Sequence, residues 1–205
     1  VRDTKENTGK AVVRDTRKNT SKAAVHVYKM TYYEALGLEP RLSLDADDLK
    51  KRFYERSREW HPDRFSLASA AEQQRALDMT AVINDAFRTL RDPVTRAEYF
   101  LKQNGVELSK DAPPELLEEV FELNMALEEL REGDDSARAQ LITSQERFEA
   151  MRAEIDATLA ALAEEFDAST DRAMLARIHA ALNRRRYIAN LVREVDKELN
   201  VHLSD

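Results

Sequence analysis

Leu141, Phe148, Ile155 and Leu162 stand seven residues apart, with Leu159 and Phe166 beside them. Apolar residues at that spacing share one face of a helix, whereas in a strand they would fall on alternating faces. Two neighbouring stretches obey the same rule. Leu116, Val120, Leu123, Leu127 and Leu130 alternate by four and three, which is a core seam. Leu175, Ile178, Leu182, Ala189 and Val192 make a third stripe. Gly133-Asp134-Asp135-Ser136 and Asp167-Ala168-Ser169-Thr170 punctuate the three, predicting helices over about 115–132, 137–167 and 171–203. Short connections favour antiparallel neighbours, so residues 115–205 are expected to form a C-terminal three-helix bundle. Pro113-Pro114 cannot continue a helix, although Pro114 can start one, and residues 105–114 read as a linker.

Upstream of that linker the helical pattern continues, and with 4 Gly and 5 Pro in 205 residues little interrupts it. The fold class is all-α. Thr31 can cap a short first helix that Gly37 closes, and Asp45 can cap a second. In that second helix Leu49, Phe53 and Trp60 recur at helical spacing and are expected to face inward. Lys50, Lys51, Arg56 and Arg58 lie off the stripe and are expected to face solvent. Pro62 lacks an N–H and biases His61 away from helical angles, so the helix must stop there. The result is His61-Pro62-Asp63, a donor and a carboxylate on an exposed turn beside a positive helix face. A third helix is predicted over about 71–91, with Met79, Val82, Ile83, Ala86, Phe87 and Leu90 as its apolar face. Asp92-Pro93 ends it, and Arg96 to Leu101 forms a further short helix before Asn104-Gly105.

Several function classes are excluded or disfavoured. The chain has no cysteine, which removes disulfides, thiolate zinc sites, a cysteine nucleophile and an iron–sulfur cluster on its own thiolates. No apolar run is long enough to cross a bilayer, so no membrane partner is expected. A net charge of −7 argues against nucleic-acid binding; the basic second helix is a local exception that suits an acidic protein partner. A metalloenzyme on a helical bundle would want inward Glu-x-x-His pairs. His179 is preceded by Ala176 and His202 by Leu199, while His26 lies in the N-terminal region. No metal, cofactor or catalytic residue is therefore expected. Residues 1–29 carry an imperfect polar repeat: Val1-Arg2-Asp3-Thr4 returns as Val13-Arg14-Asp15-Thr16. With no buried stripe, they read as a disordered extension ahead of a functional start at Met30.

One apolar flank exceeds what a bundle needs. Leu117, Phe121 and Met125 recur by four on a face turned away from the Leu123 seam, bordered by Glu118 and Glu122. Either a partner covers this flank, or it packs on the preceding domain or another helix. Tyr187 falls off the stripe of the last helix and would extend the patch if the two helices are neighbours. Arg184-Arg185-Arg186, just before it, is either a solvated face or a means of steering an acidic partner.

His61-Pro62-Asp63 lies between Tyr32-Tyr33-Glu34-Ala35-Leu36-Gly37-Leu38 and Ile83-Asn84-Asp85-Ala86-Phe87-Arg88-Thr89-Leu90-Arg91-Asp92-Pro93, with Arg96-Ala97-Glu98-Tyr99 following. This order and spacing resemble the J-domain, the part of a co-chaperone that stimulates a DnaK-type ATPase. The J-domain reading covers residues 30–104. The whole segment from Met30 to about Leu203 resembles the HscB family, the J-domain co-chaperones of iron–sulfur cluster assembly. The features beyond a generic J-domain are the Leu42-Ser43-Leu44-Asp45 lead-in, the Arg96 to Leu101 run, and a helical bundle that follows with no glycine-rich or zinc-finger region between.

The resemblance implies a J-domain hairpin followed by the bundle. His61, Pro62 and Asp63 match the loop that activates an HscA-type chaperone, and Lys50, Lys51, Arg56 and Arg58 occupy its basic helix. In the bundle, Leu117 and Phe121 fall on apolar positions that bind IscU, the scaffold on which clusters are built. Glu122 falls on an acidic contact position and Tyr187 on an aromatic one; Met125 stands where the family is usually acidic. The family's cysteine-bearing zinc module, found in some eukaryotic members, has no counterpart here, which favours a bacterial, cytoplasmic form over a mitochondrial one. The alternative within the binding class is a general J-domain co-chaperone that presents unfolded clients.

Overall fold

The computed structural model describes residues 30–109 and 111–201. The repeat in residues 1–29, His26 and His202 lie outside the described residues. Among the described residues there are seven α-helices and no strands: α1 Tyr32–Leu36, α2 Ala46–Glu59, α3 Ala70–Arg91, α4 Pro93–Gln103, α5 Leu117–Arg131, α6 Ala137–Ser169 and α7 Met174–Val201. Two 3₁₀ turns, Pro62–Phe65 and Pro114–Leu116, precede α3 and α5. The all-α expectation holds. The described residues divide into two compact units, one of residues 30–38 with Lys50–Phe87, the other of Glu39–Leu49 with residues 88–201.

In the first unit, α1 is only five residues long and depends on its ends. Thr31 and Glu34 form a reciprocal capping box, and Gly37 closes the helix at φ 66°, a left-handed angle that glycine adopts without Cβ strain. Arg52 donates to the Gly37 carbonyl at 2.7 Å, which ties α1 to α2. The rings of Phe53 and Phe87 stack with centroids 4.2 Å apart and join α2 to α3. Tyr33, Leu36, Met79, Ile83 and Ala86 are buried in this unit.

In the second unit, Asp45 caps the start of α2 through the Asp48 amide at 2.7 Å, as its position predicts. Asp92 accepts from the amides of Val94 and Thr95 and so ends α3 and starts α4. Arg96 is buried, and its guanidinium donates to the Leu90 carbonyl at 2.8 Å, satisfying the C-terminal end of α3. Helix α6 packs chiefly along α7 and more briefly on α5. Leu141, Phe148, Ile155, Leu159, Leu162 and Phe166 are all buried, as the spacing by sevens requires. Phe100 meets Phe166 edge to face at 5.3 Å, and Arg131 grips Glu198 through two bonds of 2.7 and 2.9 Å.

Two sequence expectations change here. Asp167 is not a turn residue: α6 runs on to Ser169 and ends at Thr170, whose φ is 53°. The Asp167 carboxylate instead accepts from the amides of Leu42 and Ser43, at 3.0 and 2.6 Å. On α7, Ala189 is only half-buried, and the stripe continues through Ile188 and Val195, both fully buried. Ile188 supplies a larger apolar side chain than its neighbour, so the helix turns that face inward.

Helix α5 carries two unlike faces. Leu123, Ala126, Leu127 and Leu130 are buried, while Leu117, Phe121 and Met125 are exposed by 60%, 66% and 48%. Stability should follow this division. Phe148→Ala should cost about 3–5 kcal/mol and Leu123→Ala about 2–5 kcal/mol in denaturant titration. Leu117→Ala and Phe121→Ala should each change stability by no more than about 0.5 kcal/mol.

Candidate functional site

Helix α2 stops where its backbone loses a donor. The Trp60 amide still donates to the Arg56 carbonyl at 3.0 Å, but His61 is already extended, at φ −61° and ψ 128°. Pro62 then occupies the first position of the 3₁₀ turn, where a missing N–H is harmless. The His61 Nδ1 accepts from the Asp63 amide at 3.3 Å, so a neutral ring carries its proton on the outward Nε2. The Asp63 carboxylate lies 3.5 Å from the same Nδ1. That contact becomes an ion pair only in the imidazolium, which would forfeit the amide bond. The side chains of His61 and Asp63 are 57% and 89% exposed, leaving a donor and an acceptor open to a partner.

Helix α3 holds this loop at several points. The single hydroxyl proton of Thr80 is shared between the Trp60 carbonyl at 3.0 Å and the Ala76 carbonyl of its own helix at 2.8 Å. The Gln73 side-chain amide donates to the carbonyls of Ser66 and Ala68, at 3.2 and 3.1 Å. Ser69 and Glu72 form a second capping box at the start of α3, and the Ser69 hydroxyl and amide hold the Glu72 carboxyl below its ordinary range. Trp60 stacks on Phe65, and Arg75 lies 5.9 Å from the Trp60 ring. Thr80, Gln73 and Phe65 have no mark in the sequence periodicity; the only clue was an aromatic on either side of the tripeptide.

Of the basic residues of α2, Lys50, Lys51 and Arg58 are exposed as expected. Arg56 is a correction. It is half-buried because its guanidinium pairs with Glu59 at 2.8 Å and lies against the α1 terminus at Gly37.

In the second unit, Leu117, Phe121 and Met125 share one exposed flank of α5. Glu122 is exposed beside them, 3.7 Å from Arg147 of α6, which also bonds Glu119 at 3.0 Å. Glu122 and Met125 line a groove with Gln140, Thr143 and Arg147. Tyr187 is half-buried on α7 and does not line that groove. His179, the histidine weighed for a metal role, accepts from the Ser109 amide at 3.1 Å, a structural bond that holds the segment before α5.

Comparisons with known proteins agree with this arrangement. Residues 31–99 match the DnaJ domain family, and residues 112–196 match the HSCB C-terminal oligomerisation domain. The co-chaperone protein HscB homolog of Vibrio vulnificus (strain YJ016) is 40% identical over 114 residues, which cover 54% of this chain and 67% of the relative. Its counterpart in Neisseria meningitidis (strain FAM18) is 38% identical over 110 residues, covering 51% of this chain and 65% of the relative. Among solved structures, the chaperone HscB from Vibrio cholerae superposes with a TM-score of 0.58 at 33% identity, over 82% of this chain and 96% of that one. The human co-chaperone protein HscB superposes with a TM-score of 0.59 at 22% identity, over 83% and 82% of the two chains, and shares the fold. A J-domain match, a matched helical domain after it and relatives of this extent together establish that the chain belongs to the HscB family of J-domain co-chaperones.

Proposed function

We propose that the chain delivers an IscU-type scaffold to an HscA-type chaperone and raises that chaperone's ATP hydrolysis, without catalysing a reaction itself. As a member of the HscB family it is a co-chaperone of iron–sulfur cluster assembly that works with a DnaK-type chaperone. The division of labour proposed here assigns residues 30–104 to the chaperone, 105–114 to a linker and 115–205 to the scaffold. A bacterial, cytoplasmic setting accords with the organisms of the relatives; no helix among the described residues is long and apolar enough to cross a membrane.

The observation that carries this reading is one chain with two unsatisfied surfaces of opposite chemistry. The first is the clamped loop of His61, Pro62 and Asp63, with Lys50, Lys51 and Arg58 exposed on α2. Arg56, paired with Glu59 but still partly exposed, is assigned to the same partner. Contacts of His61 and Asp63 that only one nucleotide-linked state of the chaperone satisfies would shift its equilibrium or lower a barrier, which uniform binding cannot do. A charge-assisted bond to Asp63 is worth about 1.5–3 kcal/mol in such a state. The second surface is the apolar flank of Leu117, Phe121 and Met125, with Glu122 at its border and Tyr187 assigned to the same partner. Leu and Phe side chains each contribute about 1.5–3 kcal/mol when a partner covers them.

Asp63→Asn should abolish ATPase stimulation while the circular dichroism spectrum and thermal midpoint stay unchanged; normal stimulation by that variant would remove the loop from the mechanism. The double variant Leu117→Ala with Phe121→Ala should weaken binding of a folded IscU-type scaffold by at least roughly 100-fold in calorimetry, with the fold intact. Binding to unfolded chains alone, with no saturable binding of the folded scaffold, would point to a general client-presenting co-chaperone instead.

A further inference from the structure

Two leucines beside the loop stand exposed. Leu67 is wholly solvated, at 101% of its reference exposure, and Leu77 on α3 is 51% exposed. A lone exposed leucine needs no explanation. Here the placement does, because the surrounding backbone is held. The Gln73 amide bonds the carbonyls of Ser66 and Ala68, one on each side of Leu67, so this side chain stands on a fixed base rather than on a free tip. Gln73, Leu77 and Thr80 follow one another along a single flank of α3 at helical spacing. Gln73 grips the limb of the loop after Asp63, and Thr80 grips the limb before His61 through the Trp60 carbonyl. Leu77 therefore lies between the two grips, alongside the segment that carries the tripeptide.

We infer that Leu67 and Leu77 form an apolar ledge that docks on the same DnaK-type chaperone as His61 and Asp63. The inference rests on the reading above, that this loop engages such a chaperone. What selects the occupant is continuity. The exposed groups of the loop and of α2 named for that contact are polar or charged: His61, Asp63, Lys50, Lys51 and Arg58. Stable interfaces place apolar anchors within a polar rim, and charged rim contacts act more on encounter rate and salt dependence than on lifetime. A ledge on a held backbone next to the tripeptide supplies the apolar part, and little loop entropy is lost on docking.

The test titrates full-length chain into a DnaK-type chaperone and measures steady-state ATP hydrolysis. Leu67→Ser and Leu77→Ser should each raise the concentration giving half-maximal stimulation about tenfold, with the maximal rate unchanged. Leu67→Met should behave as wild type. The defect of the serine variants should persist at high salt, whereas that of Lys51→Ala should shrink. The thermal midpoint should not move for Leu67→Ser, whose side chain is wholly solvated, and should fall slightly for Leu77→Ser, whose side chain is 51% exposed on α3. Unchanged half-maximal concentrations in both serine variants, alongside loss of stimulation in Asp63→Asn, would overturn the ledge and leave the loop reading standing. Loss of self-association by sedimentation with unchanged stimulation would assign the ledge to a second copy of the chain and overturn the inference. Normal stimulation by Asp63→Asn would overturn the loop reading and this inference with it.

Discussion

A proline that stops a helix leaves carbonyls that something else must satisfy. Pro62 does this to α2: its missing N–H leaves the Arg58 carbonyl open, and the Arg64 guanidinium takes it up at 3.3 Å. Helix α3 then holds the loop itself, with Thr80 at Trp60 and Gln73 at Ser66 and Ala68. The α3 contacts are neutral hydrogen bonds, each worth about 1 kcal/mol net. Their larger effect is conformational. They fix the backbone on both sides of His61 and Asp63, so that two exposed polar groups keep one geometry in water. A partner that recognises that geometry then orders little on binding.

The bundle solves a different problem. Its helices must bury one stripe each, and α6 does so over 33 residues, about 50 Å of helix. Once α5 has turned Leu123, Ala126, Leu127 and Leu130 to the core, Leu117, Phe121 and Met125 have nowhere to go within the unit and stay in solvent. The ion pairs around them are weak devices. Arg147, itself 56% exposed, divides between Glu119 and Glu122, and such contacts in water add little stability. Their consequence is local: Glu122 is held at the border of the flank, beside the groove it shares with Met125.

Most of the secondary structure is legible in the sequence. The caps at Thr31, Gly37, Asp45 and Asp92 all act as their residue types dictate, because capping is a contact between neighbours in sequence. The candidate loop was legible for the same reason, since Pro62 acts on His61 directly. Arg56 is only partly solvent-facing: its pair with Glu59, three residues on, is legible from helix spacing, but its approach to Gly37 of α1 is not. Asp167 was misread as a turn because its partners, Leu42 and Ser43, lie more than a hundred residues away. Whether the flank of α5 was covered stayed open for a related reason: periodicity identifies an apolar face but not what meets it.

The sequence by itself determined the seven helices, most of their ends, most of the buried stripes and the tripeptide at the stop Pro62 imposes, since these follow from periodicity and from hydrogen bonds between near neighbours. Only the tertiary structure decided which charges pair, which grips hold the loop and which leucines stay in water. Those outcomes depend on contacts between residues distant in the chain, and such contacts leave no period in the sequence to read.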